Sequence, residues 1–344
     1  MNEFLRAQLP MVQALQHAAP WTAFWKTITL LGNEEFFLLL IPLVYWCINR
    51  SVGLRLGVLI LAGDALNVLL KMACALPRPN WFTTSLLSDS VPGIIRSYAR
   101  DASYGLPSSH AQNAFAVWFF LADRARNRLR KIWPMLAALL LILLISLSRV
   151  ALGVHFPGDI VAGWAIGAAW LWGFMRFSPA LITWFRRQNL AAQISWSLVV
   201  SLGVVVLGLA LRDMPARGVG SSVNVPVDAE ITSVKAVFAR AGALFGLGVG
   251  VALMWRMPRV DAGGAITVRV SRFIIGFIGI LVIWRGLDTV FPKEPYMTAM
   301  SYRFVRYALL AWWISHGASI LFLKTGLSKE SSPNPSKTIV LEAA

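Results

Sequence analysis

From Leu136 to Leu147 the chain is almost wholly apolar, and after a short polar interruption Ile160 to Met175 is apolar again. With their flanks these runs reach the length that crosses a bilayer. In hydrocarbon every backbone N–H and C=O must be satisfied within the protein, so such runs fold as helices or as closed barrels. The apolar residues arrive in blocks and not in alternation, which selects helices. The pattern recurs at Phe36–Ile48, Gly57–Ala75, Ala111–Ala122, Ile194–Leu211, Val234–Trp255, Phe273–Phe291 and Tyr302–Leu323. Met11–Leu31 is mixed and reads either as a first span or as an interfacial amphipathic helix. The expected fold is an all-α polytopic membrane protein. It has a six-helix core over residues 1–178, an interfacial linker over 179–193 and about four further helices over 194–323. The Ser-, Pro- and Lys-rich tail, 324–344, is expected to be disordered.

Composition agrees with this class. Only 14% of the 344 residues are charged, against about 25% in a soluble domain. The 15 Trp suit aromatic belts at the membrane interfaces. A net charge of +16 reads as basic loops and attraction to anionic lipid. Nucleic acid is not an expected partner, because the basic residues are spread over loops between spans. Cys47 and Cys74 sit in or near apolar runs and read as buried thiols. Glu3 and Arg6 with no apolar run directly behind them argue against a cleavable signal peptide. Arg50 and Arg55, the Arg124–Lys131 segment, Arg176, Arg186 and Arg187, and Arg256 to Arg272 fall on one side by parity, which makes that side cytoplasmic.

Three polar junctions fall on the opposite side. Asp64, Asn67 and Lys71 share a helical face, and Pro77 and Pro79 then end the helix around Arg78. A lysine and an arginine held close can neutralise a phosphate; snorkelling to headgroups is the plainer alternative. Pro107-Ser108-Ser109-His110 opens a helix, whose free N–H groups suit an anion, although Ser108 or Ser109 also serves simply as an N-cap. Ser148-Arg149 ends one apolar run and Pro157 starts the next. His155 then lies just ahead of the helix, and Asp159 stands in its first turn within reach of the imidazole. An oriented histidine is a usable nucleophile or base, and Arg149 is placed to hold a phosphoryl oxygen.

These residues, in this order and spacing, resemble the three-part signature of the type 2 phosphatidic acid phosphatase superfamily. The likeness runs over roughly Met11–Met175. One departure is Ser109, where the middle motif often has glycine. The resemblance implies a phosphatase core in which His155 attacks phosphorus, Asp159 fixes its tautomer, and His110 protonates the leaving oxygen and then activates water. Lys71, Arg78, Arg149, Ser108 or Ser109 and backbone N–H groups would stabilise the transferring oxygens, and no metal or other cofactor is required. The implied substrate is a phosphorylated lipid, monoester or diphosphate, met at the extracytoplasmic face of the plasma membrane. Undecaprenyl diphosphate, phosphatidic acid, phosphatidylglycerol phosphate and a lipid A phosphate all stand open. So do phosphotransfer to another acceptor, a soluble sugar phosphate, and a lipid transporter or scramblase that uses the fold for recognition. Oligomeric state leaves no mark on the sequence.

Beyond the linker, Arg240, Arg285, Arg303 and Arg306 stand toward the outer side, against the positive-inside pattern. They are expected either to form a second anion site or to be used up by snorkelling and by internal pairing, with Asp288 serving Arg285. His316, mid-span, reads as a packing residue.

Overall fold

A computed structural model describes residues 2–18, 21–81, 103–212, 229–257, 259–328 and 330–331. Most of the long loop expected after Pro77 and most of the expected disordered tail lie outside the described residues. The helices are α1 (Asn2–Arg6), α2 (Leu9–Ala18), α3 (Thr22–Leu30), α4 (Glu34–Cys47), α5 (Arg50–Cys74), α6 (Ser109–Leu129) and α7 (Trp133–Ala151). Then come α8 (Pro157–Arg187), α9 (Leu190–Arg212), α10 (Ala229–Met254), α11 (Ile266–Leu281), α12 (Leu287–Val290), α13 (Tyr296–Trp312) and α14 (Ala318–Lys324). Among the described residues the only strands are a two-residue antiparallel pair, Arg259–Val260 with Glu330–Ser331. The chain is an all-α polytopic membrane protein, with six helices long and apolar enough to span among the described residues, or seven if the bent pair α3 and α4 forms one span.

Three features differ from the sequence reading. Met11–Leu31 is not one helix: α2 and α3 are separate, and α3 meets α4 at a 43° bend. Helix α8 runs through Pro179 to Arg187, so little of the chain separates it from α9. Helix α6 falls outside the span count because its buried face carries Gln112 and Asn113 and its last turns carry Asp123, Arg124, Arg126 and Arg128.

The described chain divides into two compact units. The first holds residues 1–37, 63–172 and 207–236. Helices α6 and α7 pack against each other, with Ala114 against Ile142 and Ile145. The other face of α7 carries Leu136, Leu140, Leu143 and Leu147, all exposed at helical spacing, as a lipid-facing stripe should be. Gly163 and Gly167 let α8 approach α6 closely: a Cβ on either would lie 2.7 Å from the carbonyl oxygen of Ser108 or Gln112 respectively. Polar struts complete the packing. Buried Gln112 donates to the Gly63 carbonyl (2.8 Å) and accepts from Asn67 (2.8 Å), and Asn113 donates to Asp64 (2.6 Å). Asp64 and Asn67 thus face α6, which leaves Lys71, farther along the same helical face, to the polar end of α5.

The second unit holds residues 38–62, 173–206 and 237–344. Its packing rests on small residues, as expected where lipid offers no hydrophobic drive between helices. Gly242, Gly246 and Gly250 of α10 abut Phe304, Ala308 and Ser315, so α10 and α13 run parallel in close contact. Two π-helical turns, Val282–Gly286 and Trp313–Gly317, interrupt the last helices. A wider turn releases carbonyls from the helical ladder, and here Trp46 Nε1 donates to Ile314 O (3.0 Å) and the Tyr45 hydroxyl to Ser315 O (2.8 Å). Buried Arg272 donates to the carbonyls of Trp46, Asp261 and Gly263.

Candidate active site

The three junctions of the sequence lie in the first unit. Helix α7 ends in a Schellman motif: Val154 N–H donates to Arg149 O (3.1 Å) and Gly153 N–H to Val150 O (2.9 Å). Gly153 takes φ +69°, the left-handed conformation that glycine adopts without a Cβ penalty. The turn swings His155 inward, where it is fully buried, and Pro157 then starts α8. Asp159 Oδ2 accepts from His155 Nδ1 (3.1 Å) and from the Phe156 N–H (3.0 Å), which caps α8 and fixes the imidazole together. With Nδ1 donating, Nε2 carries the lone pair.

Arg78 stands against that nitrogen, with Nη1 3.2 Å from His155 Nε2. The guanidinium is held by the Val154 carbonyl (3.0 Å), the Ser103 carbonyl (2.6 Å) and the Ser103 hydroxyl (2.9 Å). Lys71 Nζ donates to Tyr104 O (2.9 Å). Arg149 Nη1 donates to Thr29 Oγ1 (2.8 Å), and His110 Nε2 lies 2.9 Å from Asn33 Oδ1. Lys71, Arg78, Arg149 and Asp159 are all no more than 5% exposed. Burial pushes the His155 pKa well below the ordinary 6.5, and the charges of Arg78, Lys71, Arg149 and His110 add to the effect in that order. The ring is therefore neutral and its lone pair available at neutral pH.

The two serines divide. Ser108 is buried and caps α6, its Oγ accepting from Ala111 N–H (3.4 Å), while Ser109 is the first residue of the helix. Arg78, Lys71, Arg149 and His110 all lie near enough to the His155 ring to act on its ionisation, so an anion beside Nε2 would sit among their charges. An imidazole oriented in this way among fixed cations can act as a nucleophile or base toward an anionic group.

Several residues at the site carry no motif. Thr29 and Asn33 come from the bend between α3 and α4, and Gln8 accepts from the Gly158 N–H (2.7 Å) at the start of α8. Leu5, Leu9 and Val12 pack with Phe156 and Ile160 beneath this turn. An Asn ahead of a helix and a Thr in an amphipathic run are ordinary features, so only the polarity of Met11–Leu31 hinted at a second use.

The outer basic residues of the second unit have partners of their own. Asp288 pairs with Arg306 and with Lys293 (2.9 Å), not with Arg285 as the sequence suggested. The π turn that carries Arg285 sets its guanidinium over Trp284, 4.4 Å from the ring centre. Arg303 and Arg306 both lie over Tyr307, at 5.5 and 5.4 Å. Arg240 lies on α10, in the turn ahead of the Gly242 contact with Phe304. His316 is buried beside Trp312, and its Nδ1 has no hydrogen-bond partner among the described residues. Cys47 is a buried thiol, as the sequence suggested, and donates to Arg269 O (3.2 Å), while Cys74 is half-buried at the end of α5.

Residues 52–183 match the family model described as PAP2 superfamily, and residues 238–330 match the one described as PAP2 superfamily phosphatase, transmembrane extension. Similar proteins include glucose-6-phosphatase 3 of Bos taurus, 30% identical over 50% of this chain and 53% of the relative. A probable sphingosine-1-phosphate phosphatase of Dictyostelium discoideum is 27% identical over 41% of this chain and 34% of its own. Lipid phosphate phosphatase delta of Arabidopsis thaliana is 29% identical over 42% and 35%. The chain spans about half the length of the glucose-6-phosphatase relatives and about a third of the other two. No solved structure matches. With the signature of Lys71, Arg78, His110, Arg149, His155 and Asp159 gathered at one set of helix ends inside the first match, the chain belongs to the PAP2 superfamily and carries that superfamily's transmembrane extension.

Proposed function

We propose that the protein is an integral membrane phosphatase that hydrolyses a phosphorylated lipid through a phosphohistidine on His155. The observation that carries this reading is the buried His155 ring, donating from Nδ1 to Asp159 and presenting Nε2 to Arg78. In the first step the Nε2–P bond forms and the ester O–P bond breaks, and the leaving oxygen takes a proton from His110. In the second, water attacks phosphorus, gives its proton to His110, and releases inorganic phosphate as the N–P bond breaks. Arg78, Lys71 and Arg149 hold the phosphoryl oxygens as charge develops on them. This chemistry asks for protein side chains only.

The charge pattern supports a site on the extracytoplasmic side. Along α5, α6 and α8 the site residue stands at one helix end and basic residues at the other: Lys71 opposite Arg50 and Arg55, His110 opposite Arg126 and Arg128, Asp159 opposite Arg186 and Arg187. By the positive-inside rule the basic ends face the cytoplasm. Exposed apolar flanks such as the α7 leucine stripe suit a substrate that arrives from the bilayer. A soluble sugar phosphate is the second reading, favoured by the similarity to a glucose-6-phosphatase. Ion pairing and aromatic contacts account for Arg285, Arg303 and Arg306, so we assign the substrate phosphate to the first unit.

The test is phosphate release by the purified protein in detergent with EDTA, from phosphatidic acid, undecaprenyl diphosphate, a lipid A phosphate and glucose 6-phosphate, each beside His155→Ala. Release from a lipid that survives EDTA and vanishes in the variant supports the reading. Release from glucose 6-phosphate alone selects the second reading, and release that persists in His155→Ala rejects the mechanism.

A further inference from the structure

The bend between α3 and α4 lies ahead of the stretch that matches the superfamily model, which begins at residue 52. It nevertheless touches two residues of the site. Thr29, 1% exposed, receives the Arg149 guanidinium, and Asn33 meets the His110 ring one turn later. Gly32 lies between them, against the same ring: a Cβ there would come within 2.8 Å of His110 Cδ2 and 3.0 Å of Ile145 Cγ2. Only a residue without a side chain lets the bend approach this closely. The bend is thus built against His110, and it anchors residues of both α6 and α7.

We propose that Asn33 is a positioning residue for His110, and that Thr29, Gly32 and Asn33 form a fourth part of the site. The inference rests on the phosphohistidine reading above. An amide oxygen only accepts, so with Asn33 Oδ1 2.9 Å from Nε2 the hydrogen on that nitrogen is fixed. Nδ1 is then the ring nitrogen whose proton passes to the leaving oxygen and later returns from water. The same bond stabilises the ring in its cationic form and fixes its plane, the two properties a general acid needs before the ester bond breaks. A second arrangement, in which Asn33 only caps α4, uses the same residue type at the same place. The two differ in what Asn33 does to the proton transfer.

The experiment measures the first turnover of Asn33→Ala, Asn33→Asp, His110→Ala and the parent protein on two substrates. An alkyl phosphate such as phosphatidic acid has a basic leaving oxygen and needs the acid. For 2,4-dinitrophenyl phosphate, whose phenolate leaves unaided, the burst of phenolate reports the same P–N bond formation without that need. A positioned acid typically contributes about 10²–10⁴-fold. Loss of its orientation in Asn33→Ala is expected to slow the alkyl substrate about ten- to a hundredfold and the dinitrophenyl burst no more than about threefold. His110→Ala should show the same selectivity more strongly. Asn33→Asp keeps the accepting oxygen and should restore the alkyl rate to within about fivefold of the parent. If His110→Ala is selective and Asn33→Ala slows both substrates equally, or neither, the inference is overturned. An Asn33→Asp protein as slow as Asn33→Ala overturns it too. If His110→Ala is itself unselective, the assignment of His110 as the acid fails, and the role of Asn33 fails with it.

Discussion

Replacing Asp159 by asparagine separates the charge of the site from its shape. One oxygen, Oδ2, accepts from His155 Nδ1 at 3.1 Å and from the Phe156 N–H at 3.0 Å. The amide that Asp159→Asn introduces keeps one oxygen that can accept both bonds, so the turn before α8 should hold. The variant loses the negative charge facing a ring that becomes cationic as Nε2 bonds to phosphorus. Both side chains are 2% exposed or less, so water does little to screen the loss. A hydrogen bond to a charged group contributes about 1.5–3 kcal/mol, and roughly 1.4 kcal/mol is a factor of ten in rate. Asp159→Asn is therefore expected to lower kcat about ten- to a hundredfold, with KM within about threefold and the melting temperature in detergent nearly unchanged. Asp159→Ala, which also strands the Phe156 N–H, should lose about 1–3 kcal/mol of stability besides. The assay is phosphate release in detergent with EDTA, alongside a thermal melt. Wild-type kcat in a folded Asp159→Asn protein, or a change confined to KM, would refute the argument that this carboxylate acts on the reacting ring.

Burial and the surrounding cations hold the His155 pKa well below 6.5, so the unfolded chain binds the extra proton first as pH falls. The His155 contribution to stability is intact above the unfolded value and declines below it, and the acid limb of kcat/KM, which reports the free enzyme, should lie well under 6.5. A limb at 6.5 or above would contradict the neutral, buried ring. Gly163→Ala puts a Cβ 2.7 Å from the Ser108 carbonyl oxygen; it should cost about 1–3 kcal/mol and lower the melting temperature by several degrees, and an unchanged melt would show that α8 is not so tightly seated on α6. Arg306→Ala removes the buried partner of Asp288 and should lower thermal stability while leaving KM for the phosphorylated lipid alone; a several-fold rise in KM without a stability loss would restore the second anion site.

What could be read in advance was whatever the local chain decides. The helix start at Pro157, the cap at Ser108 and the spacing of Asp64, Asn67 and Lys71 each leave a signature within a few residues. Those signatures sufficed to place His155 beside Asp159. Contacts set by tertiary packing left no such trace. Thr29 falls in the mixed stretch, Asn33 and Gln8 belong to no motif, and the partners of Asn33, Thr29 and Gln8 are 77, 120 and 150 positions away. The π turns escaped for a related reason. A helix with one wide turn has the same apolar periodicity as one without, so neither the setting of Arg285 over Trp284 nor the pairing of Asp288 with Arg306 followed from residue spacing.

The central claim is that phosphate passes through His155, and rapid-quench labelling tests it most directly. The purified protein is mixed with phosphatidic acid labelled in its phosphate, in EDTA, and quenched in alkali within the first turnover. The account predicts label on the protein that is stable to alkali, lost in acid, and absent from His155→Ala. Phosphate released at full rate with no labelled protein, or label that persists in His155→Ala, would contradict it.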